Sequence, residues 1–154
     1  MIKHIRIPAL LLFVALFFAA CKDQDGPLPQ PDPTLYERLG GVDAIALVVD
    51  KFLANVVADD AINARFAATV ADPFRTQLLR NNLIDQICAG TGGPCQYKGK
   101  TMLEAHTGMN ITDAEFNALV GDLVAALDFY NVPQQEQDEL LAILGPMKSD
   151  IVGQ

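Results

Sequence analysis

Tryptophan is absent from this chain of 154 residues, and histidine occurs only twice, at His4 and His106. The missing indoles leave no shortage of core material, because 51% of the residues are hydrophobic. Basic residues are scarce, with 11 Lys and Arg against 19 Asp and Glu. Nucleic-acid backbone binding needs clustered Lys and Arg, so that function class is excluded. The longest apolar run, Ala9 to Ala20, has 12 residues and is too short to span a membrane as a helix. No stretch alternates as a strand and no repeat is present, which leaves an all-α chain with room for one ordinary domain.

What is there falls into three segments. Residues 1–20 have the form of an export signal: Lys3 and Arg6 supply a positive start, and the Ala9 to Ala20 run has the length of a signal h-region. Phe18-Ala19-Ala20-Cys21 resembles the lipobox of bacterial lipoproteins, with Phe18 in place of the usual Leu. That resemblance implies lipidation of Cys21 and an exported domain anchored to a bacterial membrane, facing the periplasm or exterior. An ordinary secretory signal and a retained anchor are the rival readings. Residues 21–33 carry prolines at 27, 29, 31 and 33, a spacing that favours extended polyproline II and makes a tether. The folded domain is expected over 34–154. Removal of Lys3 and Arg6 leaves 11 − 2 = 9 basic residues against 19 acidic, a formal charge near −10.

Within the domain, Gly40-Gly41 ends a short first turn, Leu35 to Leu39. A helix is expected over Val42 to Ala58, with Ile45, Val48, Val49, Phe52 and Val56 on one face. Residues 61–72 are mixed and carry Phe66. Pro73 suits the first turn of a helix running to about Ala89, with Leu79, Leu83, Ile84 and Ile87 inward. Thr112 and Glu115 form a capping box before a helix with Phe116, Leu119, Val120, Leu123, Val124 and Leu127 at core spacing. The last helix, with Leu140, Leu141, Ile143, Leu144, Met147 and Ile151, is expected to bend at Gly145-Pro146.

His4 lies in the segment to be removed, so His106 is the one histidine of the mature chain. It follows Met102 and Leu103 at helical spacing. An imidazole on a short helix facing apolar space suits an axial ligand of haem iron, whereas a lone histidine is more often only structural.

The context favours the first reading. Leu35-Tyr36-Glu37-Arg38-Leu39-Gly40-Gly41, Val48-Val49-Asp50-Lys51-Phe52, Phe66, Thr91-Gly92-Gly93-Pro94, Tyr97-Lys98-Gly99, Met102, and Ala105 through Thr112 occur in that order, with Leu140 to Pro146 closing the set. In this the stretch from Thr34 to Val152 resembles the truncated haemoglobins, most closely their group I. The resemblance implies a two-over-two helical sandwich around haem b, with reversible binding of dioxygen or another diatomic gas such as CO or NO. It implies His106 as the iron ligand, Phe66 flat against the porphyrin, Tyr97, Met102, Ile111 and Phe116 as lining, and Arg80 at a propionate. On the distal side, beside Phe52, it aligns Leu53, Leu79 and Leu83 with positions that often carry Tyr or other polar residues. A shift of one turn would bring Asn82 or Gln86 inward. Nitric oxide dioxygenase or peroxidase-like activity is the alternative, and it usually needs distal polar groups. A ligand-binding role is therefore expected over an enzymatic one.

Cys88 and Cys95 remain as an even pair in a chain expected to be exported. Either they form a disulfide, worth on the order of 2.5 kcal/mol by loop entropy, or Cys88 is a small core residue and Cys95 a loop thiol. Two cysteines alone make no metal site.

Overall fold

The computed structural model describes residues 30–154. The expected export signal, Cys21 and most of the proline-rich tether lie outside the described residues. No helix among the described residues is long and apolar enough to cross a membrane.

Seven α-helices account for the domain: α1 (Leu35–Arg38), α2 (Gly41–Ala58), α3 (Asn63–Val70), α4 (Pro73–Gly90), α5 (Met102–His106), α6 (Asp113–Phe129) and α7 (Gln134–Leu144). A 3-10 helix, Gly145–Asp150, follows α7. There is no strand among the described residues, only an isolated parallel bridge between Ile111 and Val152.

α2 is the centre. Its buried residues are Ile45, Val48, Val49, Phe52 and Val56, the face expected from helical periodicity. It packs against α4 through Ile84, Ile87 and Cys88, and against α6 through Leu123, Ala126 and Leu127; Leu140 of α7 completes the core. The all-α two-over-two arrangement expected of the chain is the one found.

The connections have local causes. Gly40 and Gly41 both take left-handed backbone, φ 91° and 79°, which lets α1 turn directly into α2 at no Cβ cost. Three N-termini carry reciprocal capping boxes: Thr34 with Glu37, Thr101 with Glu104, and Thr112 with Glu115. Asp72 caps α4 through Phe74 N and Arg75 N, with Pro73 in the first turn. Arg38 joins α1 to α7 by donating to Glu136 at 3.1 Å and to Glu139. Gln137, nearly fully buried, donates to Asp128 Oδ1 and the Val132 carbonyl at 2.9 Å each, closing the turn between α6 and α7.

Two expectations are corrected. Residues 61–72, read as mixed, contain α3; it has no side-chain cap and no buried residue, so neither signal marks it. The last helix does more than bend: α-helix stops at Leu144 and the chain tightens into the 3-10 turn, where Pro146 contributes no backbone donor.

Candidate haem site

His106 is the last residue of α5, a helix of five residues. Thr101 Oγ accepts from Glu104 N at 3.2 Å, while Glu104 Oε2 accepts from Thr101 N at 3.0 Å and Thr101 Oγ at 2.8 Å. Those hydrogen bonds, the Thr101 hydroxyl first, hold the Glu104 carboxyl below its usual range. One turn on, His106 Nδ1 lies 2.7 Å from the Met102 carbonyl oxygen. A carbonyl can only accept, so Nδ1 donates here and Nε2 is the nitrogen left to bind a metal. This is the second contact by which proteins fix a metal-binding imidazole.

The apolar candidates come from several elements. Phe66 on α3, with Leu53 on α2 and Leu83 on α4, is half-buried and packs against the core cluster. Leu79, Tyr97, Met102, Ile111 and Phe116 are also half-buried, whereas Phe52 is buried in the core itself. Tyr97 donates its hydroxyl to the Lys100 carbonyl at 2.6 Å, and burial pushes the phenol above its ordinary pKa. Lys148 Nζ sits 5.4 Å from the Phe116 ring centroid and 2.6 Å from Asp113 Oδ1. A small apolar cavity of about 20 Å³, lined by Leu39, Ile45, Val48, Ile87, Leu127 and Leu140 among others, includes none of the candidate haem residues.

Arg80, expected at a propionate, is turned onto α2. Its Nε and Nη2 donate to the two Asp50 oxygens at 2.5 and 2.8 Å, and this pairing lowers the Asp50 pKa. The two residues that a one-turn shift would bring inward, Asn82 and Gln86, are both half-buried, and Gln86 is engaged. Its amide reaches Met102 Sδ at 3.6 Å and Met147 Sδ at 3.2 Å, so it joins α4 to α5 and the 3-10 helix.

Cys88 and Cys95 form a disulfide, with Cα atoms 5.7 Å apart. It ties the buried end of α4 to the loop leading to Tyr97 and α5. Gly93 lies against it: a Cβ there would stand 2.5 Å from Tyr36 Cδ2 and 2.7 Å from Cys88 Sγ. A contact that close requires glycine.

Arg65 was not marked by any sequence pattern. Its Nε and Nη2 donate to the two Glu115 oxygens at 2.7 and 3.1 Å, and its Nη1 to the Met109 carbonyl at 2.8 Å. Arg65 first, then the Thr112 backbone and hydroxyl, hold the Glu115 carboxyl down at about 2. The pair is 50 residues apart in sequence, beyond any local periodicity.

The family model for bacterial-like globins matches residues 34–152. A group 1 truncated haemoglobin of Tetrahymena thermophila is 34% identical over 128 residues, covering 79% of this chain and 96% of the relative. The chain belongs to the bacterial-like globins, in their group 1 truncated haemoglobins. The group 1 truncated haemoglobin GlbN of Synechocystis is 33% identical to this globin, over 79% of it and 98% of the relative. Among solved structures, the Fe(III) truncated haemoglobin of Tetrahymena pyriformis superposes with a TM-score of 0.71 at 30% identity, over 79% of this globin and all of that chain. The 2/2 haemoglobin of Synechococcus sp. PCC 7002, solved in the cyanomet state with covalently attached haem, gives 0.70 at 32% identity, covering 78% and 98%.

Membership in the truncated haemoglobins makes haem the cofactor of this globin. The residues fit that group. They offer one imidazole with its second nitrogen already proton-fixed and half-buried apolar side chains from α2, α3, α4, α5 and α6.

Proposed function

We propose that this globin reversibly binds dioxygen, or another diatomic gas such as CO or NO, at a haem b iron whose protein ligand is His106. The observation that carries the reading is the 2.7 Å contact from His106 Nδ1 to the Met102 carbonyl, which leaves Nε2 as the ligating atom. When bound, the haem supplies an open coordination position for the gas. Phe66, Tyr97, Met102, Ile111 and Phe116, all half-buried, would line the haem and exclude water from it. Arg80 would have to share its guanidinium between Asp50 and a propionate, because two of its donors are already engaged.

The distal side supports binding over catalysis. Leu53, Leu79 and Leu83 offer no hydrogen-bond donor, and the Gln86 amide is spent on two thioethers. Nitric oxide dioxygenase or peroxidase-like chemistry calls for distal groups that polarise bound oxygen or move protons, and that reading is not favoured.

His106→Ala tests the ligand assignment. The expected result is loss of stoichiometric haem binding, read from absorption spectra of the ferric, ferrous and carbonyl forms. Full haem content with an unchanged ferrous spectrum would refute it.

We further propose that the domain is exported and held to a bacterial membrane by lipid on Cys21, on the signal pattern of residues 1–20. A disulfide between Cys88 and Cys95 supports an oxidising compartment. Cys21→Ser is expected to release the protein from the membrane fraction; labelled fatty acid still incorporated into that variant would rule the anchor out.

A further inference from the structure

A helix of five residues cannot hold itself in place in water, yet α5 carries the imidazole on which the site depends. Its first turn is fixed by the Thr101 and Glu104 capping box. Its other end runs into a turn with left-handed Gly108 and Asn110, φ 83° and 48°, where Met109 N donates to the His106 carbonyl at 2.9 Å. The side chain that holds this turn comes from elsewhere in the chain. Arg65 of α3 donates to the Met109 carbonyl at 2.8 Å and, with two further N–H groups, to both Glu115 oxygens. Glu115 in turn accepts from Thr112 N at 2.8 Å and Thr112 Oγ at 2.9 Å. One guanidinium thus joins α3, the turn after His106 and the first turn of α6.

Arg65 also immediately precedes Phe66. We infer that Arg65 is a positioning residue for His106: it fixes the turn that follows the imidazole and locks it in register with the helix that carries Phe66. The inference rests on the reading of His106 as the iron ligand. A rigid planar fork is required, since three donors must reach two carboxylate oxygens and one carbonyl at once; a lysine ammonium on the same stem is a single point charge and cannot span them.

The test uses the full chain with Arg65→Met and Arg65→Lys. Haem transfer to a haem-free acceptor globin is expected to be roughly ten-fold faster for Arg65→Met, the lower end of the effect of outer groups that orient a metal ligand, and intermediate for Arg65→Lys. The iron–histidine vibration of the ferrous protein should shift or broaden. In the haem-free protein, amide exchange at residues 109–111 should rise while that of α2 and α4 does not. Unchanged transfer with an unchanged vibration overturns the inference, and so does a uniform rise in exchange with the vibration in place, which is what a merely structural residue would give. If His106→Ala keeps its haem, the ligand assignment has failed; unaltered exchange at residues 109–111 in Arg65→Met sinks the clamp whatever ligates the iron. Arg65 lies outside the buried core, so both variants are expected to fold, and failure of both to fold would itself contradict a local positioning role.

Discussion

The two walls of the candidate haem site are built differently. The wall proposed as distal belongs to α2 and α4, helices of 18 residues each, whose placement follows from apolar faces buried in a common core. The segment proposed as proximal, from Thr91 to Thr112, contains one helix of five residues and is held by a disulfide, two capping boxes, the reach of Arg65 and backbone hydrogen bonds to Tyr36, Gly153 and Gln154. A wall made by hydrophobic burial spreads its support over many contacts, so one polar change on its surface disturbs it little. A segment made by a few directed contacts concentrates its support, and each contact is a point of failure.

Gly93→Ala should break that contrast hardest. The new Cβ would meet Cys88 Sγ at 2.7 Å and the Cys88 carbonyl at 2.8 Å, and the bridge and helix end leave neither free to move. A loss of about 2–4 kcal/mol is expected from overpacking at a constrained contact, read from denaturant midpoints. Retention of the parent midpoint would show the loop able to yield.

Next comes the bridge itself. Cys88→Ala with Cys95→Ala, or reduction of the native protein, should cost about 2–3 kcal/mol by the loop-entropy relation. Cys88 is fully buried, and its loss adds a small cavity. The midpoint of the reduced protein is the measurement, and no difference between reduced and oxidised forms would place the support of this loop elsewhere.

The distal wall should respond in the opposite sense, with little change in stability and a large change in ligand behaviour. Leu53→Tyr places a donor on a half-buried helical position. Stability should shift by less than about 1.5 kcal/mol. A hydrogen bond worth roughly 1.5–3 kcal/mol to a polar ligand corresponds to dioxygen release slowed by about 10- to 100-fold. Carbon monoxide, less polar when bound, should be affected much less. Dissociation rates of both gases from both proteins decide it; slow dioxygen release in the unmodified protein would mean that a donor already reaches the ligand.

The same contrast governs what could be read from the sequence. The buried face of α2 was legible because period 3.6 and burial agree at Ile45, Val48, Val49, Phe52 and Val56. Thr112 with Glu115 was legible because a capping box is a local pattern. The inner face of α4 was read partly: Ile84 and Ile87 are buried, but Leu79 and Leu83 are only half-buried. α3 was missed because it is only eight residues long, with no side-chain cap to mark its start and no buried residue. The Arg65 pairing, the turn of Arg80 toward Asp50 and the burial of Glu136 against Arg38 were missed because each joins residues far apart in sequence. His106 is singled out in the sequence only by its ordered neighbours, since one histidine carries no spacing of its own.

The Arg65 contacts close loops of 44 and 50 residues, whereas the capping boxes close loops of three. Closing a long loop carries a larger entropic cost and comes after the local turns have formed. The Arg65 tie is therefore expected to form after the capping turns at Thr101 and Thr112. Contacts made after the rate-limiting step leave the folding rate nearly untouched and act on escape from the native state. The Arg65 tie thus bears on how long the finished site lasts more than on how quickly it is assembled.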